Sequence, residues 1–96
     1  MAAMIRSFRD RETRTVWNGE RAKRLPADIQ EVALRNLRLI NAAQRLNDLR
    51  APPGNRLELL AGDRAGQCSI RINQQWRICF RWADGEAEDV EICDYH

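Results

Sequence analysis

Arginine is the residue of this sequence best suited to bind an anion, because 15 of its 16 basic side chains are arginine and one is lysine. The planar guanidinium carries five N–H donors in a fixed fork and binds the paired oxygens of a phosphate or a carboxylate. Arg77 and Arg81 alternate with large apolar residues in the run from Trp76 to Trp82. That alternation predicts that both lie on one face of a strand, where they could hold a phosphate-bearing partner. By itself, the composition favours the simpler interpretation that the arginines are solvated.

Charge is unevenly distributed along the chain, although the net formal charge is only +2. Residues 1–24 hold seven basic and three acidic side chains, and residues 67–82 hold three arginines and no acid. Residues 83–96 hold six acidic side chains and no lysine or arginine. The basic stretches favour an anionic partner. In the alternative, Arg77 pairs with Glu88 or Glu91 as an ordinary cross-strand contact.

Length and residue usage limit what kind of protein this is. With 96 residues the chain has the size of one domain, predicted to span residues 1–96, with a thin core and little room for an enclosed cofactor pocket. No apolar run reaches the roughly 18 residues of a membrane span, and Arg6 interrupts the start of the chain before a signal sequence develops. We therefore expect a cytoplasmic protein with no cofactor and no membrane partner.

The three cysteines form neither a disulfide framework nor a clear metal site. Cys68, Cys79 and Cys93 are odd in number and contain no CxxC pair, which is typical of a protein in a reducing compartment. A zinc site using Cys93 and His96 would need both other cysteines as ligands. Single cysteines in strands are more often small buried apolar residues. We therefore expect no metal site.

Hydrophobic periodicity predicts the elements of the first half of the chain. Residues 4–8 alternate weakly as a first strand, and Asp10 is placed to cap a short helix that ends near Trp17. A longer amphipathic helix is predicted over residues 25–49, because one side of it is apolar and the other is polar. The proline and glycine residues of the segment 51–55 would stop this helix.

The second half of the chain is predicted to be a meander of three strands. Residues 68–72, 76–82 and 87–93 are strand-like, and short polar turns separate them as in antiparallel hairpins. One face of the middle strand is apolar and must pack on the long helix, so its other face presents the arginines. The order of elements predicts an α+β fold, with an N-terminal strand and helices packed on one face of a twisted, mainly antiparallel sheet.

Four stretches of the sequence resemble the HigB branch of the RelE/ParE toxin superfamily, the plasmid maintenance killer proteins. They are MIRSF at 4–8, APPGN at 51–55, RLELLAGDRAGQCSIRINQQWRICFRW at 56–82 and VEICDYH at 90–96. The resemblance covers nearly the whole chain and implies a RelE-like fold. It also implies a type II toxin that is a cytoplasmic, ribosome-dependent mRNA endoribonuclease without a metal, neutralised by a HigA-like helix-turn-helix antitoxin. Contact with operator DNA would be indirect, through that antitoxin.

The resemblance also implies which residues form the site. The catalytic set would be Arg77, Asp94, Tyr95 and His96. In this set the arginine stabilises charge on the phosphate, while histidine or tyrosine transfers a proton and the tyrosine stacks on a base. The RNA-binding set would be Arg56, Glu58, Arg64, Arg71 and Arg81. The alternative role for Tyr95 is packing with a hydrogen-bonded hydroxyl.

Two positions depart from the family pattern in the segment that precedes Gly62. Glu58 stands where the resembling toxins have a histidine, and Ala61 stands where they have a lysine. Glu58 could act as the base, although pairing with Arg56 on a solvated surface is the simpler expectation. The loss of both groups keeps a second hypothesis open, in which a ParE-like or catalytically weak relative acts mainly by binding protein.

Overall fold

The computed structural model describes residues 5–51 and 53–94, and in this part of the chain two α-helices pack on one face of a four-stranded sheet. The helices are α1 (Arg11–Trp17) and α2 (Ala27–Ala42). The strands are β1 (Glu58–Leu59), β2 (Gln67–Arg71), β3 (Trp76–Ala83) and β4 (Glu86–Asp94), which pair antiparallel in that order. The predicted α+β fold and its meander are therefore confirmed.

The start of the described chain lies alongside β4. Ile5 and Phe8 form single parallel bridges with Ala87 and Val90. The strand predicted over residues 4–8 is therefore reduced to isolated bridges, and its first residue lies outside the described part of the chain. These bridges place the N-terminal segment alongside β4, at the edge of the sheet.

Helix α1 begins where the sequence predicts. Asp10 Oδ1 accepts the N–H of Thr13 at 3.1 Å, which satisfies one of the unpaired donors at the helix start. Thr13 is fully buried, and its Oγ1 accepts the N–H of Ile92 at 2.9 Å. Helix α1 is therefore tied by a side chain to the outer edge of β4.

Helix α2 is shorter than predicted. The prediction covered residues 25–49, but α2 ends at Ala42 and a separate 3-10 helix covers Leu46–Arg50. Asp48 Oδ2 accepts the N–H groups of residues 44–45 at 3.0 Å each, and this local hydrogen bonding competes with the helical ladder. No helix in the described residues is long and apolar enough to cross a membrane.

The core lies between α2 and the sheet. Its buried members include Ile29, Ala33, Leu37 and Ile40 of the helix, and Cys68, Ile70, Ile78, Phe80, Val90 and Ile92 of the strands. Since successive strand side chains point to opposite sides, the residues between these point away from α2. We call that second side the polar face of the sheet.

Strand β4 contains one extra residue opposite β3. Cys79 pairs with Glu91 but Arg81 pairs with Glu88, so three steps along β4 match two steps along β3. Asp89 lies in this β-bulge with φ of 52°, a left-handed conformation that aspartate tolerates better than most residues. The bulge brings Asp89 Oδ2 to 3.8 Å from Arg81 Nε.

Candidate functional site

Three cross-strand rows of side chains form the polar face of the sheet. They are Glu58, Ser69, Cys79 and Glu91; Gln67, Arg81 and Glu88; and Arg71, Arg77 and Cys93. Directly opposite residues in paired strands share a face, so each row runs across the sheet. The predicted alternation in β3 is confirmed, since Arg77 and Arg81 lie on the same face.

Arg77 is held at the centre of the polar face. Its Nε donates to Ser69 Oγ at 2.7 Å, and its Nη2 donates to the backbone oxygen of Arg56 at 2.7 Å. Nη2 also lies 3.6 Å from Glu58 Oε1. The side chain is only 7 % exposed, so the prediction of an openly presented arginine is wrong at this position. The cause is tertiary, because the segment 56–58 folds against the guanidinium.

Glu58 is the acidic neighbour of Arg77. Its side chain is 50 % exposed, and among the described residues it pairs with Arg77, so the expected pair with Arg56 is wrong. Arg56 contributes its backbone oxygen to the site, and its φ of 45° is a strained conformation for a residue with a side chain. A buried cation and a half-exposed carboxylate therefore lie side by side. The guanidinium can bind an anion, and the carboxylate can accept a proton.

Arg64 reaches the same face from the 3-10 helix Gly62–Arg64. Its Nη1 donates to Glu91 Oε1 at 2.9 Å and to Gln67 Oε1 at 3.0 Å. The hydrogen bond to Glu91 raises the pKa of the Arg64 guanidinium, which therefore stays protonated. Arg9 Nε lies 3.8 Å from the other oxygen of Glu91. Glu91 thus orients a second arginine on the polar face.

Two free, buried thiols lie beneath these arginines. Cys93 Sγ donates to the backbone oxygen of Glu91 at 3.6 Å. Interaction with the Cys93 thiol lowers the pKa of Cys79, and the positive charges of Arg64 and Arg77 act in the same direction. The same interaction between the two thiols raises the pKa of Cys93, and burial adds to this effect. Burial also raises the pKa of Cys68, on the core side of the sheet. Among residues 5–51 and 53–94, no three His, Cys, Asp or Glu side chains cluster so as to hold a metal ion.

Arg71 and Arg81 also lie on the polar face, as the RNA-binding prediction requires. Arg81 is 47 % exposed and extends over Gly66. Gly66 has φ of 89°, and a Cβ at this position would lie 3.0 Å from Arg81 Nη1. The backbone conformation therefore requires glycine, and a larger residue would also make the Arg81 guanidinium shift.

The predicted C-terminal residues are only partly described. Asp94 pairs with Trp76, and its Oδ2 accepts Nε2 of Gln75 at 3.0 Å. Strand alternation directs the Asp94 side chain to the side opposite that of Arg77, and its catalytic role stays a prediction. Tyr95 and His96 lie outside the described residues, and their catalytic roles stay predictions.

The sequence reasoning missed Ser69, and its alternative that paired Glu91 with Arg77 named the wrong arginine. Ser69 is fully buried and accepts from Arg77, while Glu91 binds Arg64. The usable signal was the register of the meander, which places both in the row that contains Cys79. A serine and a glutamate within apolar strands are candidates for partners of buried cations.

Comparisons with known proteins identify what the chain is similar to. A family model described as the RelE-like toxin of type II toxin-antitoxin system HigB matches residues 6–96. Toxin HigB-1 of Vibrio cholerae serotype O1 is 42 % identical over 85 residues, which cover 88 % of this chain and 90 % of that protein. Endoribonuclease HigB of Proteus vulgaris is 29 % identical over 93 residues, which cover 97 % of this chain and 100 % of that protein.

A solved structure gives an independent comparison of the fold. The YoeB-YefM complex from Staphylococcus aureus contains a chain that matches with a TM-score of 0.61 and 18 % sequence identity. The match covers 98 % of this chain and 99 % of that one. At this identity the likeness supports the arrangement of helices and strands and nothing finer.

Proposed function

Because the chain belongs to the HigB-like family of RelE-like toxins of type II toxin-antitoxin systems, we propose that it inhibits translation in the cytoplasm by cutting mRNA on the ribosome. One observation carries the proposal: Arg77 Nη2 and Glu58 Oε1 lie 3.6 Å apart, and the arginine is fixed by two hydrogen bonds of 2.7 Å. A relative named Endoribonuclease HigB supports the same class of reaction.

RNA cleavage at this pair follows from ordinary acid–base chemistry. Glu58 accepts the proton of the ribose 2′-hydroxyl as its oxygen attacks the adjacent phosphorus. Arg77 stabilises the negative charge that develops on the phosphate oxygens, with Arg64 on the same face. The bond to the 5′-oxygen breaks, leaving a 2′,3′-cyclic phosphate and a 5′-hydroxyl. His96 or Tyr95 is proposed to protonate the departing oxygen, a role taken from the family resemblance.

Arg77 is oriented before the substrate arrives. Its bonds to Ser69 Oγ and the Arg56 oxygen restrain the plane of the guanidinium, so little reorganisation is needed when charge develops. Burial lowers the local dielectric and strengthens its interaction with a phosphate. Since side chains supply the cation and the base, the reaction as proposed needs no metal in the chemical step.

A HigA-like helix-turn-helix antitoxin is the proposed protein partner, and operator DNA would be reached only through it. The solved neighbour is a complex, YoeB-YefM, which supports a protein partner for this chain. Exposed basic residues near the start of the chain, including Arg11, Arg14, Arg21 and Lys23, fit an acidic surface. Their contribution to binding should weaken as salt rises, because exposed charges are screened.

The test is cleavage of a defined mRNA in a translating cell extract, with mapping of new RNA 5′ ends. The wild-type chain should produce new ends in translated mRNA and few in naked RNA. Glu58→Gln and Arg77→Lys should each slow cleavage by about 100-fold, because the first removes the base and the second removes the guanidinium fork. Arg38→Gln, at an exposed position of α2, is the matched control.

Each result has a defined meaning when melting temperatures are measured in parallel. Parental cleavage rates in both Glu58→Gln and Arg77→Lys would refute the roles of these residues. Cleavage of naked RNA that disappears with a chelator would refute the metal-free mechanism. Growth inhibition without new RNA ends would favour the alternative, in which the chain acts by binding protein.

A further inference from the structure

Strand β1 covers only part of β2 and leaves the end of that strand as a free edge. It pairs with Cys68 and Ser69, whereas no described strand pairs with Ile70 and Arg71 on this side. Helix α2 supplies a substitute contact, because Asn36 Nδ2 donates to the backbone oxygen of Arg71 at 3.0 Å. Asn36 is itself buried, so the strand end is fixed against the helix.

A cleft of about 400 Å³ lies at this edge, between α2, residues 54–55 and the end of β2. Arg35 and Arg71 both line it, and the other described residues of the lining are uncharged. Within the part of the chain that the structure describes, neither arginine forms an ion pair. Two cations in a cleft that no described acidic residue lines make it attractive to an anion.

Arg71 connects this cleft with the proposed reaction site. It lies directly opposite Arg77 on the neighbouring strand, and at the edge of β2 it borders both the polar face and the cleft. Directly opposite residues are separated by about 5 Å between Cα atoms, less than the length of an extended arginine side chain. A chain of phosphates that reaches Arg77 can therefore continue over Arg71 toward Arg35.

We infer that Arg35 and Arg71 form a second phosphate site, which binds the RNA strand beside the phosphate that is cut. The guanidinium fork suits the paired oxygens of a phosphodiester, and Leu39 and Ile72 give the cleft an apolar wall for the ribose. RNA is favoured as the occupant because Arg71 lies in the same cross-strand row as Arg77, the residue proposed to bind the phosphate that is cut. The inference rests on the proposed function, since it concerns the path of the same substrate.

The test uses the same translating extract and defined mRNA, with Arg35→Gln, Arg71→Gln and the control Arg38→Gln compared over a range of salt concentrations. Arg38 is exposed on α2 and does not line the cleft. We expect Arg35→Gln and Arg71→Gln each to raise KM about tenfold while kcat stays near the parental value. Each should also reduce the slope of log affinity against log salt by about 0.7, the value for one phosphate contact in a single strand.

The outcomes separate this inference from the proposed function. If the wild type cuts mRNA and Arg35→Gln behaves like Arg38→Gln, the second phosphate site is refuted and the function stands. If both cleft variants cut normally but lose binding to the antitoxin in a pull-down, the cleft is a protein surface and the site is refuted. If the wild type cuts no mRNA, the function fails and the site fails with it. Arg35→Gln remains informative if Arg71→Gln does not fold, because Arg35 is exposed.

Discussion

Ser69→Ala is the sharpest test of how the polar face positions Arg77. The serine is fully buried, and its Oγ accepts the Arg77 Nε at 2.7 Å. Hydrogen bonds to charged groups contribute about 1.5–3 kcal/mol, and leaving a buried donor unsatisfied is costly. The backbone oxygen of Ser69 lies 3.5 Å from Nη2 and keeps a weak contact in the variant. We therefore expect a loss of about 2 kcal/mol in the free energy of unfolding.

Urea and thermal unfolding measure this loss. For a domain of this size, about 2 kcal/mol corresponds to a decrease of roughly 8–16 °C in Tm. A double-mutant cycle with Ser69→Ala, Arg77→Met and the double variant isolates the contact, and we expect an interaction energy of about 1.5 kcal/mol or more. Cleavage by Ser69→Ala should also fall, by about tenfold, because the arginine loses the acceptor that orients it.

A second serine provides the control for this cycle. Ser7 Oγ accepts the backbone N–H of Asp89 at 2.9 Å at an exposed position, so Ser7→Ala removes a neutral and solvated contact. We expect it to cost less than about 1 kcal/mol and to leave cleavage unchanged. An interaction energy below about 0.5 kcal/mol between Ser69 and Arg77 would show independent sites and refute the reasoning.

Two further predictions concern the backbone near Arg81 and the response to pH. Gly66→Ala should lower stability by about 1–2 kcal/mol, because its φ of 89° is a left-handed conformation that strains alanine; an unchanged urea midpoint would contradict this. Burial raises the pKa of Cys68, whereas an unfolded thiol ionises above about pH 8.5, so the folded state binds more protons there and stability falls as pH rises. Cys68→Ala should therefore lose stability less steeply between about pH 8 and 10 in urea unfolding, and equal slopes would count against the buried thiol.

Local patterns in the sequence determined much of the fold. The Asp10 cap and the alternation of β3 were predictable, because they depend on residues within one helical turn or one strand. The placement of Arg77 and Arg81 on one face followed from the same alternation. Family membership followed from motifs that extend over nearly the whole chain. Strand β1 was missed because two residues are too few to show a period.

Only the tertiary structure decided how the site is assembled. Arg77 is buried because a segment about 20 positions earlier folds onto it, and Arg64 is oriented by Glu91, 27 positions later. The cleft beside Arg35 exists because β1 is shorter than β2 and leaves its edge to α2. Periodicity reports which face a side chain occupies, but the partner on that face comes from a distant segment. Hydrogen bonds and burial that join distant segments are therefore determined by the tertiary structure and not by the local sequence pattern.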